Sequence, residues 1–259
     1  MVKFTVLGSG SSGNASIIEY QDQALLIDAG FSGKELQRRL DAAGVDAGGI
    51  TGVLVSHEHS DHVKGLRVFC KRQGGLTAYA NSLTAERLHT KNHAPADLVI
   101  FNNGSAFTVG EFAVEPFSIS HDAVDPVGFI VEIAGRRIGI ATDLGHAGKM
   151  VPLKLHDCHI LMIETNHDPI LLRNSNRPMH LKSRIHGRRG HLSNEHGRNL
   201  IMATAGPTTR YLVAAHISEE CNDLKLVDEH VTACVAELGL PELKWEIARQ
   251  DRVSPTMVV

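Results

Sequence analysis

The sequence is poor in cysteine and contains no long apolar run, and each absence excludes a class of protein. Cys70, Cys158, Cys221 and Cys234 are the only cysteines among 259 residues, and no two of them form a C-x-x-C pair. This spacing argues against a disulfide framework and against a cysteine zinc site. No apolar run approaches the roughly 20 residues of a membrane-spanning helix, and residues 1–8 are too soon interrupted to form a signal peptide. We therefore expect a cytoplasmic protein without a membrane segment.

A basic overall charge is also absent. The formal net charge is −3 and the pI is about 6.6, so any contact with nucleic acid must use a local patch. A hydrophobic fraction of 42% with 21% charged residues is ordinary for a globular protein, and we predict one domain over residues 1–259. Histidine is abundant, with 16 residues, which points to metal or proton chemistry.

Three histidines lie close together directly after the apolar residues 52–55. Asp61 accompanies His57, His59 and His62 there. If residues 52–55 end a strand at the rim of a sheet, His57 and His59 point to one side because successive strand residues alternate faces. Asp61 and His62 then approach from another direction, where the chain turns. A single ion cannot be reached by all four side chains, so the spacing favours two ions held side by side. The alternative is a polar loop that is merely rich in histidine.

The glycine-rich residues 8–14 match the pattern G-x-G-x-x-G, and Asp28 follows Gly8 by 20 residues. A dinucleotide-binding motif of this form must open a helix, whereas short β-rich runs follow here. We therefore predict a tight turn between two strands rather than a nicotinamide or flavin site. The backbone N–H groups of this turn are expected to face an anionic substrate. Its candidate phosphate contacts are Ser11, Ser12 and Asn14.

Hydrophobic periodicity and turn residues divide the rest of the chain into short helices and strands. Helices are predicted at 33–43, 64–71, 82–90, 148–155, 194–205 and 223–238. Strands are predicted at 3–7, 15–20, 24–28, 52–55, 77–80, 97–101, 105–109, 112–118, 127–133, 136–141, 159–164, 210–214 and 245–248. Residues 165–193 are predicted to be irregular.

Three more residues of ligand type come directly after predicted strands, namely His121, Asp143 and His216. Each of them alone fits a turn or capping residue equally well. A shared sheet edge would, however, bring all three to the same rim as His57.

The order H-x-H-x-D-H, followed by a single His, a single Asp and a single His, resembles the metallo-β-lactamase-fold hydrolases. Asp28 matches the first motif of that superfamily. The resemblance covers nearly the whole chain and implies an α+β fold, a four-layer αββα sandwich. It assigns one ion to His57, His59 and His121 and the other to Asp61, His62 and His216, with Asp143 bridging. It implies two zinc or manganese ions that share a bridging hydroxide, a catalytic role for Asp61, and a supporting role behind the ligands for Asp28.

Four segments resemble the YycJ/WalJ group within that superfamily: residues 8–14, 164–168, 190–195 and 215–220. That group is linked to exonuclease and phosphodiesterase activity, so the resemblance implies a DNA exonuclease that acts in the 5′-to-3′ direction. The β-lactamases with two zinc ions place a cysteine in the second site, whereas Asp143 takes the bridging position here, which argues against lactam cleavage. Two divalent ions also carry more charge than Asp61 and Asp143 neutralise, and the excess attracts a phosphodiester.

His191 is the candidate proton donor to the leaving alkoxide. It lies two residues before Ser193, which is the predicted N-cap of a helix. The N–H groups at the start of this helix, and Ser193 itself, would face bound phosphate. The alternative is a loop histidine without a function. Asn166, His167 and Asp168 are expected either to support the ligands through hydrogen bonds or simply to start a helix.

A local excess of positive charge occupies residues 169–194, which contain no acidic residue. Its six cations are Arg173, Arg177, Lys182, Arg184, Arg188 and Arg189. We predict a patch that tracks backbone phosphates, with Arg184 and Arg188 as contacts and no stacking of bases. The alternative is a solvated face.

Three hypotheses for function follow. The first is a phosphodiesterase that acts on nucleic acid, with DNA favoured over RNA. The second keeps the metal site but hydrolyses a small ester, lactone, thioester or cyclic phosphodiester, since no added substrate-binding domain is recognisable. The third is a non-catalytic or redox metal protein, although neither a flavin domain nor a cysteine motif for an iron–sulfur cluster is present.

Overall fold

Fourteen strands form two mixed sheets in the computed structural model, which describes residues 1–259. In chain order the strands are β1 (Val2–Gly8), β2 (Ala15–Tyr20), β3 (Gln23–Ile27), β4 (Ile50–Leu54), β5 (Ala78–Asn81), β6 (Leu98–Phe101), β7 (Phe107–Val109), β8 (Phe112–Ser118), β9 (Val127–Ile133), β10 (Arg136–Ala141), β11 (Ile160–Glu164), β12 (Tyr211–Ala215), β13 (Lys244–Ile247) and β14 (Met257–Val258).

Each sheet has seven strands, and the two sheets share one design. The first has the order β14-β1-β2-β3-β4-β5-β6 and the second the order β13-β12-β11-β10-β9-β8-β7. Antiparallel pairs give way to parallel pairs at β3 in the first sheet and at β10 in the second. The parallel strand β11 reads Ile-Leu-Met-Ile-Glu and is buried throughout, as expected for a strand covered on both faces.

The chain forms nine α-helices, six of which cover the outer faces of the sheets. They are α1 (Gly33–Ala43), α2 (Ser60–Val63), α3 (Leu66–Arg72), α4 (Ser82–Thr90), α5 (Met150–Leu155), α6 (Pro169–Asn174), α7 (Met179–His186), α8 (Asn194–Thr204) and α9 (Leu224–Leu238). The predicted bounds of α1 and α4 are confirmed. None of the nine combines the length and the hydropathy that crossing a bilayer requires.

Three apolar cores hold the layers together. The central core lies between the sheets and includes Phe4, Phe112 and Phe129. One outer core packs α1, α3 and α4 onto the first sheet, and the other packs α5, α8 and α9 onto the second. In α1, Leu36 and Leu40 supply the buried i, i+4 pair. The predicted α+β fold with four αββα layers is therefore confirmed.

The prediction that residues 165–193 are irregular is wrong, because α6 and α7 lie there. Asp168 caps α6, and Pro169 occupies its first turn, which suits a residue without an N–H. Helix α7 buries none of its residues, so it shows no apolar stripe from which periodicity could have detected it.

Candidate metal centre

The seven predicted ligands meet at one rim of the sandwich, where they form two groups. The first group is His57, His59 and His121, and the second is Asp61, His62, Asp143 and His216. Within each group the ligand atoms lie within 4.8 Å of one another. Residues 57–62 follow β4 of the first sheet, whereas His121, Asp143 and His216 follow β8, β10 and β12 of the second. Each group therefore draws its ligands from both sheets.

Unusual backbone conformations place several of these side chains. Asp28, Asp143 and His216 have φ angles of 59°, 60° and 54°, in the left-handed region. Strain of this kind persists where the surrounding structure enforces it, typically at functional sites. Gly30 permits another close approach, because a Cβ at this residue would lie 1.7 Å from the carbonyl oxygen of Asp61.

Buried atoms without partners show that these residues suit metal ions. Nε2 of His57, Nε2 of His216 and Oδ2 of Asp143 are buried and have no hydrogen-bond partner. Such atoms are costly to leave unpaired, and imidazole nitrogen and carboxylate oxygen are ordinary ligands of divalent cations. Oδ1 of Asp143 lies 3.2 Å from Nε2 of His216 and 3.9 Å from Nε2 of His121, so Asp143 stands between the two groups.

The two groups differ in their charge when no cation is bound. Burial lowers the pKa of His57, His59 and His121, so the first group consists of neutral imidazoles. Burial also acts against charge in the second group, but neighbours of opposite sign outweigh it there. The nearby carboxylates, above all that of Asp143, raise the pKa of His62 well above its usual range and that of His216 to about 10.

The carboxyl groups of the second group show the converse effect. Burial alone would raise the pKa of Asp61 and Asp143, but the adjacent imidazolium groups hold both far below their usual range. The second group therefore carries internal ion pairs, and its imidazoles must release protons before they can bind a cation.

Asp28 supports the second group from behind. Its Oδ1 accepts a hydrogen bond from the backbone N–H of Ser56, and its Oδ2 accepts one from the Ser56 hydroxyl, both at 2.8 Å. Oδ2 also lies 2.8 Å from Nδ1 of His62. Since an ionised carboxylate only accepts, Nδ1 of His62 carries a proton and Nε2 is turned toward the other ligands.

The glycine-rich turn between β1 and β2 donates most of its N–H groups to other atoms of the protein. The N–H groups of Gly10, Ser12 and Gly13 donate to the Asn14 side chain, the Gln250 side chain and the Gly10 carbonyl oxygen. These three N–H groups are therefore not available to a substrate. Asn14 is buried, with Nδ2 3.2 Å from Oδ2 of Asp61. Ser11 lines the cavity over the ligands, and Ser12 does not.

Glu164 is a site residue that sequence reasoning missed. This fully buried carboxylate ends β11, with Oε1 2.8 Å from Nδ1 of His191 and 3.1 Å from Nδ1 of His216. Its Oε2 accepts from the N–H groups of Leu144 and Leu192. Burial works against its charge, but His191 and His216 lower the pKa of Glu164 to about 2. The sequence did hold a signal for Glu164, because an acidic residue at the end of an apolar strand is expected to lie at the same rim as the ligands.

Helix α7 covers the ligands and encloses a cavity of about 200 Å³. His191 and four residues of or near α7 line it together with the ligands: Arg177, Leu181, Arg184 and Ile185. Arg184 pairs with Asp122, whose Oδ1 lies 3.4 Å from Nε2 of His121. Arg177 pairs with Glu220 at 3.0 Å. Arg188 lies outside the cavity and is exposed.

The remaining predicted residues differ in what they contact, and Asn166 lies behind a ligand, with Nδ2 3.2 Å from Nδ1 of His216. Asn166 donates to the carbonyl oxygen of His216 at 2.7 Å, which fixes the turn that carries this ligand. His167 is 1% exposed, and both of its ring nitrogens lack a partner. Asp168 caps α6, and Ser193 caps α8 by accepting from the N–H of His196 at 3.2 Å. Ser193 is buried and does not line the cavity, so the structure gives it no contact with a substrate phosphate.

Two facing mixed sheets with a His/Asp cluster suited to metal ions at one rim define a metal-dependent hydrolase of the metallo-β-lactamase fold. The chain belongs to the β-lactamase superfamily, whose domain matches residues 23–217. It is 32% identical over 258 residues to the exodeoxyribonuclease YycJ of Bacillus anthracis, which covers 98% of this chain and 97% of that protein.

Two further similarities agree with this family. The exodeoxyribonuclease WalJ of Streptococcus pneumoniae is 32% identical over 234 residues, or 89% of this chain and 86% of that protein. Among solved structures, the metallo-β-lactamase-fold protein YhfI of Bacillus subtilis aligns over 98% of both chains with a TM-score of 0.74 at 15% identity, which shows the shared fold.

Proposed function

We propose that the protein is a dimetal phosphodiesterase that removes nucleotides from the end of a DNA strand, in the 5′-to-3′ direction. The observation that carries this proposal is the pair of ligand groups within a cavity that also presents Arg184, Ser11 and His191. The exodeoxyribonuclease names of the two relatives support DNA as the substrate. Two zinc or manganese ions at this site would supply Lewis-acid polarisation of the phosphoryl group and activation of water.

The chain's own residues would do the rest of the work. His191 lines the cavity, and Glu164 accepts the proton on its Nδ1, so its Nε2 is the nitrogen left to act on substrate. A protonated imidazole there can give its proton to the leaving oxygen as the P–O bond breaks. Arg184 can place its guanidinium on a phosphate once it exchanges Asp122 for the substrate.

The size of the cavity supports an exonuclease over an enzyme that cuts within a strand. The cavity beneath α7 has a volume of about 200 Å³. It is too small to hold a duplex, because the major groove of a duplex alone is about 12 Å wide. A single strand end is the part of DNA that can enter. The same small volume favours a second candidate, a hydrolase of small phosphodiesters such as cyclic nucleotides.

Incubation of the manganese-loaded protein with DNA labelled at one end tests the proposal. We expect linear single-stranded or duplex DNA to be shortened stepwise from the 5′ end, and covalently closed circles to stay intact. Asp61→Ala should abolish the reaction, whereas Asp41→Ala, at an exposed residue of α1, should not. Equal cleavage of closed circles, or turnover of RNA or cyclic nucleotides alone, would show that the substrate has been assigned wrongly.

A further inference from the structure

A second cavity lies at the end of the sandwich opposite the metal centre. It has a volume of about 570 Å³. Its lining includes the residues that begin or immediately precede the parallel strands β10, β11, β12 and β13. Asp143 and His216 follow the other ends of β10 and β12. Strands of five residues span about 16 Å, so this cavity is a separate site.

Three cations converge on this cavity without neutralisation. Arg136, Arg210 and Lys244 line it, and none of them has a carboxylate oxygen within the 4.0 Å of an ion pair. Neighbouring Arg137, by comparison, pairs with Glu132 at 3.6 Å. The only acidic side chain in the lining is that of Glu242, so cationic side chains outnumber acidic ones there by three to one. Focused charge of one sign in a concave site attracts ligands of the opposite sign.

His159 adds a donor that the protein itself leaves without an acceptor. Its Nδ1 accepts from the backbone N–H of Arg137 at 3.2 Å, and its Nε2 lies 3.2 Å from Nη1 of Arg136. A neutral imidazole has one acceptor nitrogen, so Nε2 carries the proton and faces a second donor. An anionic oxygen beside the two groups would accept from both of them. Arg210 is also fixed in place, since its Nη1 donates to the carbonyl oxygen of Pro207 at 2.6 Å.

The lining of the cavity also includes apolar residues. Tyr211 and Val259 are partly buried against the core between the sheets, and Val258 lies beside them. Nζ of Lys244 lies 5.8 Å from the centre of the Tyr211 ring. A cavity of this volume is within the range of small-molecule sites, roughly 300–1,000 Å³. The site thus offers cations for phosphates together with an aromatic and aliphatic surface.

We propose that this cavity binds a nucleotide through at least two of its phosphate charges, with Arg136, Arg210, Lys244 and Nε2 of His159 as donors. The phosphates belong either to a free nucleotide or to the end of a nucleic acid strand, because both present the same chemistry. The site does not depend on the activity of the metal centre, since it shares no residue with the metal ligands or with the cavity beneath α7.

Calorimetric titration of the metal-loaded protein with ADP tests this site. We expect Lys244→Gln and Arg210→Gln each to weaken ADP binding about tenfold or more, the effect of one lost charge-assisted hydrogen bond. Lys34→Gln, which removes an exposed lysine from α1, should leave it unchanged. Thermal unfolding without ligand confirms that each variant is folded. If Arg210→Gln disturbs the loop because the contact with Pro207 is lost, Lys244→Gln alone still tests the proposal.

A short 5′-phosphorylated oligonucleotide distinguishes the two sources of phosphate. Competition between the oligonucleotide and ADP for the parent protein would assign the site to a strand end, and ADP binding without such competition would assign it to free nucleotides. ADP affinity that is the same in Lys244→Gln, Arg210→Gln and the parent protein would overturn the proposal. ADP binding that requires the metal ions would also overturn the proposal, because ADP would then bind at the metal centre.

Discussion

Oε1 of Glu164 and Nδ1 of His191 lie 2.8 Å apart, although 27 residues separate them in the chain. The carboxylate is fully buried, and His191 reaches the cavity over the metal ligands. Glu164 therefore fixes both the orientation and the tautomer of a histidine that lines this cavity. The same oxygen lies 3.1 Å from Nδ1 of His216, so one carboxylate aligns both the proposed proton donor and a candidate metal ligand.

His191→Ala should therefore impair the reaction in a way that depends on the leaving group. We expect cleavage of DNA to fall about 10²–10⁴-fold, because the alkoxide then departs without a proton. Hydrolysis of bis-p-nitrophenyl phosphate, whose leaving group needs no proton, should fall far less. Initial rates for the two substrates measure the difference, and the exposed His196→Ala is the control. An equal loss on both substrates would exclude proton donation by His191.

Arg184 and Arg188 should differ in effect, although both belong to the same basic segment. Arg184 lines the cavity and Arg188 is exposed outside it. Charge reversal at Arg184 should impair both bis-p-nitrophenyl phosphate and long DNA. Charge reversal at Arg188 should impair long DNA alone and should reduce the salt dependence of DNA binding by about one phosphate contact. Steady-state rates across a salt series measure this, and identical profiles for the two variants would contradict it.

Asp28→Asn should weaken metal binding without removing a ligand. The amide cannot replace the carboxylate as acceptor for both Ser56 and Nδ1 of His62. Loss of such a supporting acceptor typically lowers metal affinity about 10–100-fold. Competition with a chromophoric chelator measures the affinity, and Asp22→Asn in the exposed turn between β2 and β3 is the matched control. Unchanged affinity in Asp28→Asn would show that the Ser56 and His62 contacts do not matter for metal binding.

His167 should make the protein sensitive to mild acid. Burial lowers its pKa from 6.5 to about 4, so the folded state binds fewer protons here than the unfolded state between these values. The contribution of neutral His167 to the free energy of unfolding is fully present above pH 6.5. It is lost as the pH falls toward 4, and the total loss is about 3 kcal/mol. His167→Phe should flatten this part of the profile. Urea unfolding at several pH values measures it, with the exposed His89→Phe as control. A parallel profile in both variants would refute the assignment.

The sequence predicts the ligand rim well because the signals are local. Strands that end in His or Asp place side chains at a sheet edge regardless of how the sheets are joined, so His121, Asp143 and His216 were candidates, and the resemblance to the metallo-β-lactamase-fold hydrolases assigned them as ligands. The contacts of Glu164 join distant segments, and no local pattern reports them. Asn14 shows the opposite difficulty, since a polar residue in a glycine-rich turn is ordinarily exposed, yet contacts with Asp61 and His62 bury it. Helix α7 escaped prediction because it lacks an apolar face.

Each ligand group contains residues from both sheets, so a bound cation would link the two halves of the molecule. The chain passes from the first sheet to the second once, between β6 and β7, before β14 returns to the first. A protein divided in the turn at residues 102–104 would yield one fragment with His57, His59, Asp61 and His62 and another with the remaining ligands. Cations should then promote complementation of the two fragments, because neither fragment holds a full coordination set.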